Sequence, residues 1–273
     1  MTKKHLKFTK AFVLHHPDYQ KKVYNIVENG KGGAIVAKNN YIFKRVEKKY
    51  LLTDGLRDEL TSRISPMLIP DAYGRSTISS LYLDTPDYRI IRASIEAKNE
   101  GHAYKEKLRL RTYGTPKDDT KVFLEIKKKY KGVVYKRRIS LTHAAAMEYI
   151  TGGDKPPDSQ IMREIDYAMR FYGDVRPSAV VSYERDAFFV RDLPALRITF
   201  DRSVRYRSEL LDLKEGSGGK MILPDGLSLM EIKTDGAMPL WLSHALDELK
   251  IYPASYSKYG NAYTDIINTK EEN

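Results

Sequence analysis

The chain of 273 residues has no cysteine. That excludes a disulfide framework and any thiolate metal site, and leaves a reducing cytoplasm as the expected compartment. Long hydrophobic runs are missing too. Nothing approaches the ~18 apolar residues that a membrane-spanning helix needs, and Phe12-Val13-Leu14 is too short for a signal-peptide core. The protein is therefore expected to be soluble, with any membrane partner encoded elsewhere. Histidine is scarce, and His5, His15, His16, His102, His143 and His244 show no metal-ligand spacing. There is no Gly-x-Ser-x-Gly elbow to anchor acyl transfer. Gly216-Ser217-Gly218-Gly219-Lys220 lacks the spacing of a nucleotide-binding P-loop and reads as a flexible connection. Acidic residues are outnumbered, 36 Asp plus Glu against 47 Lys plus Arg, for a net charge of +11. A polyanionic partner follows, but nucleic acid, an anionic membrane surface and phosphorylated small molecules all fit that balance.

What the chain does have is charge placed with a period. In Tyr104-Lys105-Glu106-Lys107-Leu108-Arg109-Leu110-Arg111-Thr112-Tyr113-Gly114, Lys107, Arg109 and Arg111 alternate with Leu108 and Leu110. Alternate side chains of a strand point to opposite faces, so one face is cationic and the other apolar. Like charges spaced by about 7 Å repel unless something anionic sits among them. One such strand could be a sheet edge guarded against aggregation. The alternation recurs, however, in Arg45-Val46-Glu47-Lys48-Lys49, Glu125-Ile126-Lys127, Lys136-Arg137-Arg138, Arg197-Ile198-Thr199-Phe200-Asp201 and Glu231-Ile232-Lys233. Six strands of this kind cannot all be edges.

Residues 1–40 are basic, contain Gly30-Lys31-Gly32-Gly33 and show no sustained period, so they read as a weakly structured leader. From 41 to 265 a single domain is expected, followed by a tail at 266–273. Strands are predicted over 41–53, 77–83, 103–113, 121–130, 133–141, 179–190, 195–205 and 227–233. Helices are predicted from Asp54 to about Ser65, from Asp84-Thr85-Pro86 onward, from Thr142 to Ile150, from Asp158 to Tyr172 and from Pro239 through Leu249. The stretch Pro253 to Tyr259 has no clear period.

Eight mostly antiparallel strands, each with one charged and one apolar face, satisfy both faces by closing into a barrel with its charges inward. The expected fold is therefore α+β, a closed eight-stranded antiparallel β-barrel with helices packed on its outside. Leu108, Leu110, Val122, Leu124, Ile126, Ile198, Phe200 and Ile232 would face those helices. The interior would hold Lys49, Lys107, Arg109, Arg111, Lys127, Lys136, Arg138, Arg185 and Lys233, with Lys258 at its mouth. Unpaired, partly desolvated cations destabilise an empty fold, so a densely anionic guest is implied. Arg binds phosphate oxygens bidentately and Lys adds a compact charge, each bond worth roughly 1.5–3 kcal/mol. Phosphoryl groups fit best. Glu47, Glu125 and Glu231 stand among the cations, and hard carboxylate oxygens beside phosphate suggest Mn²⁺ or Mg²⁺. The same glutamates argue against nucleic acid, since a groove that tracks a phosphodiester backbone has no use for buried carboxylates. Tyr82, Tyr113 and Tyr183 read as core or wall residues, and Tyr256 and Tyr259 as cover for a mouth.

These residues resemble the VTC (vacuolar transporter chaperone) domain of polyphosphate polymerases, within the CYTH-like triphosphate tunnel metalloenzyme superfamily. The likeness runs from about Phe43 to Tyr259. It is carried by Arg45-x-Glu47-x-Lys49, Ser80-Leu81-Tyr82-Leu83-Asp84-Thr85, Lys107 to Gly114, Glu125-Ile126-Lys127, Lys136-Arg137-Arg138, Ser182 to Phe188, Leu229 to Lys233 and Ser257-Lys258-Tyr259. The resemblance implies a tunnel that binds the triphosphate of ATP and transfers its γ-phosphoryl group onto growing inorganic polyphosphate. Arg109, Arg111, Lys127 and Arg185 would carry the chemistry. Lys49, Lys107, Lys136, Arg138, Lys233, Ser257 and Lys258 would bind phosphate, and Glu231, Glu47 and Glu125 a metal ion. Arg45 stands where the superfamily's first signature glutamate would be, which weakens a two-metal hydrolytic mechanism. A tripolyphosphatase or nucleoside triphosphatase using the same tunnel, and a non-catalytic polyphosphate sensor, are the alternatives.

Overall fold

A computed structural model of the chain describes residues 46–71, 74–99, 104–131 and 133–271, together with three strands nearer the start. Those strands, β1 (Ala11–His16), β2 (Gln20–Glu28) and β3 (Ala34–Val36), pair antiparallel in a sheet of their own. The chain divides into two compact units, Met1–Phe43 and Lys44–Asn273. Arg45, the 41–45 start of the first expected strand, the Gly30 to Gly33 run, His102 and the turn residue Gly132 lie outside the described residues.

The second unit is built on one large antiparallel sheet. Its strands are β4 (Val46–Thr53), β5 (Leu68–Pro70), β6 (Ser76–Asp84), β7 (Tyr104–Tyr113), β8 (Lys121–Tyr130), β9 (Val133–Thr142), β10 (Arg176–Val190), β11 (Leu193–Arg207), β12 (Lys220–Met221) and β13 (Leu227–Thr234). The main path runs β4-β13-β11-β10-β6-β7-β8-β9, with β12 on β11 and β5 on β10. All eight expected strands are present, each within a few residues of its predicted bounds wherever those bounds are described.

The sheet does not close, which corrects the expected barrel. Among the described residues no ladder joins the two end strands, β4 and β9. It curls far enough for Lys127 Nζ of β8 to lie 3.5 Å from Glu47 Oε2 of β4, but the edges stay unpaired. The edges themselves supply the physical reason: β4 presents Lys48 and Lys49, and β9 presents Lys136, Arg137 and Arg138, largely exposed. Like charges facing one another across a ladder disfavour it, and charged edges resist pairing. The charged face therefore lines a trough rather than a sealed tunnel.

Helices cover the opposite, convex face, as the apolar alternation requires. Leu108, Leu110, Val122, Leu124 and Ile126 are fully buried beneath α3 (His143–Ile150) and α4 (Gln160–Tyr172), which contribute Ala146, Ile150, Met162 and Ile165. Ile198, Phe200, Met230 and Ile232 pack with Leu60 and Ile64 of α1 (Asp54–Ile64) and with Leu242 and Leu246 of α5 (Leu240–Glu248). Burying a side chain of this size is worth about 1.5–3 kcal/mol, so these two layers hold the sheet in its curl. Thr53, Thr142 and Ser159 cap α1, α3 and α4 by accepting from Leu56, Ala145 and Met162 N–H.

Two helices differ from expectation. The helix α2 (Arg89–Asn99) begins later than Asp84-Thr85-Pro86, yet Asp84 reaches forward and accepts from the N–H groups of Ile90 and Ile91, and Thr85 from that of Arg89. The second is α6 (Lys258–Glu271), which the sequence reading leaves out. Its Tyr259, Ala262 and Ile266 form a third cluster with Ile78, Tyr82, Val181, Tyr183 and Leu229. Tyr82 stands opposite Arg109 in the β6–β7 ladder. Consequently α6 lies on the charged side and fills one end of the trough.

Candidate functional site

The trough is assembled strand by strand from alternate positions. Arg109 stands opposite Glu125, which stands opposite Arg138; Lys107 stands opposite Lys127, which stands opposite Lys136. On the other side Arg185 stands opposite Asp201, Glu231 opposite Lys49, and Lys233 opposite Glu47. All the predicted charged site residues thus fall on one face of the sheet except Lys258, which α6 brings in.

Four carboxylates organise these cations. Glu125, 1% exposed, receives Arg109 Nε at 2.8 Å on one oxygen and Lys136 Nζ at 2.5 Å on the other. Burial alone would raise its pKa, but Arg109, Arg111 and Lys136 outweigh burial and bring it down to about 2. Asp201, 0% exposed, accepts from Arg185 Nε and Nη2 at 2.6 and 2.7 Å and from Lys258 Nζ at 2.5 Å. Glu231 lies 3.3 Å from Lys233 Nζ and 3.8 Å from Arg185 Nη2. Glu47 gathers Lys127 at 3.5 Å, Lys49 at 3.7 Å and Lys233 at 4.0 Å. The Glu231 carboxyl is held well below its ordinary range: burial opposes this, and Lys233, Lys49 and Lys258 prevail.

The remaining groups are held by tyrosine, serine and the start of α6. Arg111 donates to Ser80 Oγ and Tyr183 OH, both at 3.1 Å. Arg109 Nη1 reaches Tyr82 OH at 3.4 Å, and the Tyr82 ring stacks on Tyr259 with centroids 4.3 Å apart. Burial would raise the Tyr82 phenol, yet Arg109, Lys107 and Arg111 draw it down to about 7. Lys107 donates to Ser257 Oγ at 2.9 Å and Lys49 to the Tyr256 carbonyl at 2.8 Å. Desolvation, with Lys49, Lys127 and Arg109 close by, lowers Lys107 to about 8 against the help of Tyr82. Ser257 also accepts the Gly260 N–H, and a Cβ on Gly260 would stand 2.9 Å from that hydroxyl, so glycine lets the first turn of α6 close on its cap. Arg138 is the outlier: it lies exposed at the lip, its guanidinium carbon 4.6 Å from the centre of the Phe123 ring.

Sequence reasoning missed Asp201 as a site residue, whereas Tyr82 and Tyr183 stand in the wall as expected and Tyr259 sits at the start of α6. The signal for Asp201 was present, since Arg197, Thr199 and Asp201 share one face of their strand. Its partner Lys258 could not be read from that alternation. Among the described residues no group of three or more metal-ligating side chains converges.

These elements define a class of protein built on a curled antiparallel sheet with a cation-lined concavity and helices covering its convex side. The VTC domain model matches residues 44–267, and the chain belongs to that family. No curated protein sequence matches it. Among solved structures it is similar to HpAC1 from Hippeastrum, described as having a dominant triphosphatase activity, at 16% identity and a TM-score of 0.42, covering 79% of this chain and 93% of that one. A candidate adenylate cyclase from Vibrio parahaemolyticus gives 11% identity and a TM-score of 0.40, covering 80% and 97%. The PH1819 protein from Pyrococcus horikoshii gives 14% and 0.38, covering 81% and 98%. Among the described residues no helix is long and apolar enough to cross a membrane.

Proposed function

We propose that the protein is a metal-dependent polyphosphate polymerase that transfers the γ-phosphoryl group of ATP onto the end of an inorganic polyphosphate chain. The observation that carries this reading is the convergence of cations from β4, β7, β8, β9, β10, β13 and α6 on one trough, where carboxylates compensate only part of the charge. A terminal phosphate oxygen of the chain attacks the γ-phosphorus, the bond to the β-bridging oxygen breaks, and ADP leaves. Acceptor and leaving group are already anionic, so no strong base is needed. Catalysis then rests on in-line positioning and neutralisation of charge.

Arg109, Arg111, Lys127 and Arg185 would neutralise the transferring group. Lys49, Lys107, Lys136, Lys233, Ser257 and Lys258 would fix the flanking phosphates, with Arg138 at the lip. The donor set suits a hard divalent cation: Glu47 and Glu231 offer paired carboxylates, and phosphate oxygens and water complete such shells. Mn²⁺ or Mg²⁺ would screen the β- and γ-phosphate charge. Both oxygens of Glu125 are engaged by Arg109 and Lys136, so this carboxylate is better suited to orienting them than to ligation.

Incubation with ATP and Mn²⁺ should yield long polyphosphate on a gel. Orthophosphate release without chain growth would favour a triphosphatase, and tight tripolyphosphate binding with no turnover would favour a sensor.

A further inference from the structure

Asp201 has a place in the trough that the alternation of cations does not explain. It is wholly buried, and its two oxygens take three donors from two side chains that reach it from different elements. Arg185 comes from the adjacent strand β10, directly opposite in the ladder. Lys258 is the first residue of α6, 57 positions along the chain. Both cations also face the ring of Tyr183, at 5.1 Å for Arg185 and 4.4 Å for Lys258, the arrangement in which a ring attracts a cation. Nε and Nη2 of Arg185 are committed to Asp201, which leaves Nη1 for an oxygen of a guest. Burial opposes ionisation of Asp201, but Lys258 and Arg185 outweigh it and hold the carboxyl below its ordinary range.

We propose that Asp201 is a positioning residue that locks Arg185 and Lys258 into a single two-cation grip on the terminal phosphoryl group of a bound triphosphate. The carboxylate does not touch the guest. It fixes the angle of the guanidinium fork and ties the start of α6 to the sheet, so that Lys258 enters the trough in one place. One anion against two cations leaves a unit of positive charge for the guest, whereas without the anion the two cations would repel and splay. This rests on reading the trough as a triphosphate site.

The test compares wild type, Asp201→Asn and Asp201→Glu with inorganic tripolyphosphate and with ATP plus Mn²⁺. For Asp201→Asn the expected result is tripolyphosphate affinity within about threefold of wild type, with phosphoryl transfer down by about 10²-fold, as misplacement of reacting groups costs. Asp201→Glu keeps the charge and should recover part of that rate. It also serves where the Asn variant, which strands two cations, fails to fold. The ³¹P resonance of the bound terminal phosphate should shift in either variant at near-wild-type affinity. An unshifted resonance with an unchanged rate would overturn the proposal, as would affinity and rate falling together by one factor alongside a lower melting temperature. If wild type binds tripolyphosphate but transfers nothing, the polymerase reading fails while the resonance still decides the role of Asp201. If wild type does not bind tripolyphosphate at all, both fall.

Discussion

Glu125 and Asp201 are both almost wholly buried on the charged face, and each holds one arginine and one lysine. Their surroundings differ. Arg109 and Lys136 stand on the strands flanking Glu125, and the Lys136 side chain is 38% exposed near the open edge, whereas Lys258 is 13% exposed and arrives on a helix. The same charge pattern therefore makes a wet lip on one side of the trough and a dry socket on the other. Solvent reaches Lys136 at the lip, whereas in the socket every member is largely buried, so that removing Arg185 leaves Asp201 with Lys258 alone.

The largest effect expected from this contrast is on folding. Arg185→Met should destabilise the protein by about 3–5 kcal/mol in urea unfolding, because Asp201 loses two of its donors in a dry site. Arg109→Met should cost less, since Glu125 keeps the solvated Lys136; equal losses would break the distinction. Next comes turnover. Glu231→Gln should retain ATP binding without metal but reduce metal-dependent transfer by about 10²-fold, the scale for removing one charge-stabilising group at a reacting centre. Full activity would show that the Glu47 and Glu231 pair does not serve a metal.

A smaller effect concerns pH. Desolvation, with Lys49, Lys127 and Arg109 close by, lowers Lys107 from an ordinary 10.5 to about 8 against the help of Tyr82. A polyanion favours the charged form of Lys107, so polyanion affinity should fall as pH rises through 8. Binding near pH 8.5 should take up about one proton, measured by calorimetry in buffers of different ionisation enthalpy, and Lys107→Met should reduce the uptake. The empty fold behaves oppositely: Lys107, with its lowered pKa, disfavours it below pH 8, so its stability should rise between about 8 and 10.5. Glu125, lowered from 4.5 to about 2, contributes stability that is present above 4.5 and lost as pH falls through 2. The smallest effect is at the lip, where Lys136→Met should change stability by about 1 kcal/mol or less. A larger loss would mean that the lip is as dry as the socket.

Strands and their faces were legible because a period of two exposes both the buried and the charged set: Leu108 and Leu110 go under α3 and α4, and Lys107, Arg109 and Arg111 into the trough. Closure was not legible. Whether the last two edges meet depends on how far eight twisted strands curl and on whether the lysines and arginines of β4 and β9 can face one another. The helix α6 escaped notice because its buried positions are Tyr259, Gly260, Ala262 and Ile266, two of them small and one carrying a hydroxyl, so no hydrophobic stripe announces it.

Composition and alternation alone determined that this chain forms charged-and-apolar strands, that helices cover the apolar side, and that the cations share the other side. Tertiary structure alone decided that the sheet stays open, that α6 fills one end of the trough, and that Arg185 and Lys258 share Asp201. Alternation is a property of neighbours along the chain, whereas curl, edge pairing and the docking of a distant helix depend on contacts between elements whose separation in sequence carries no period.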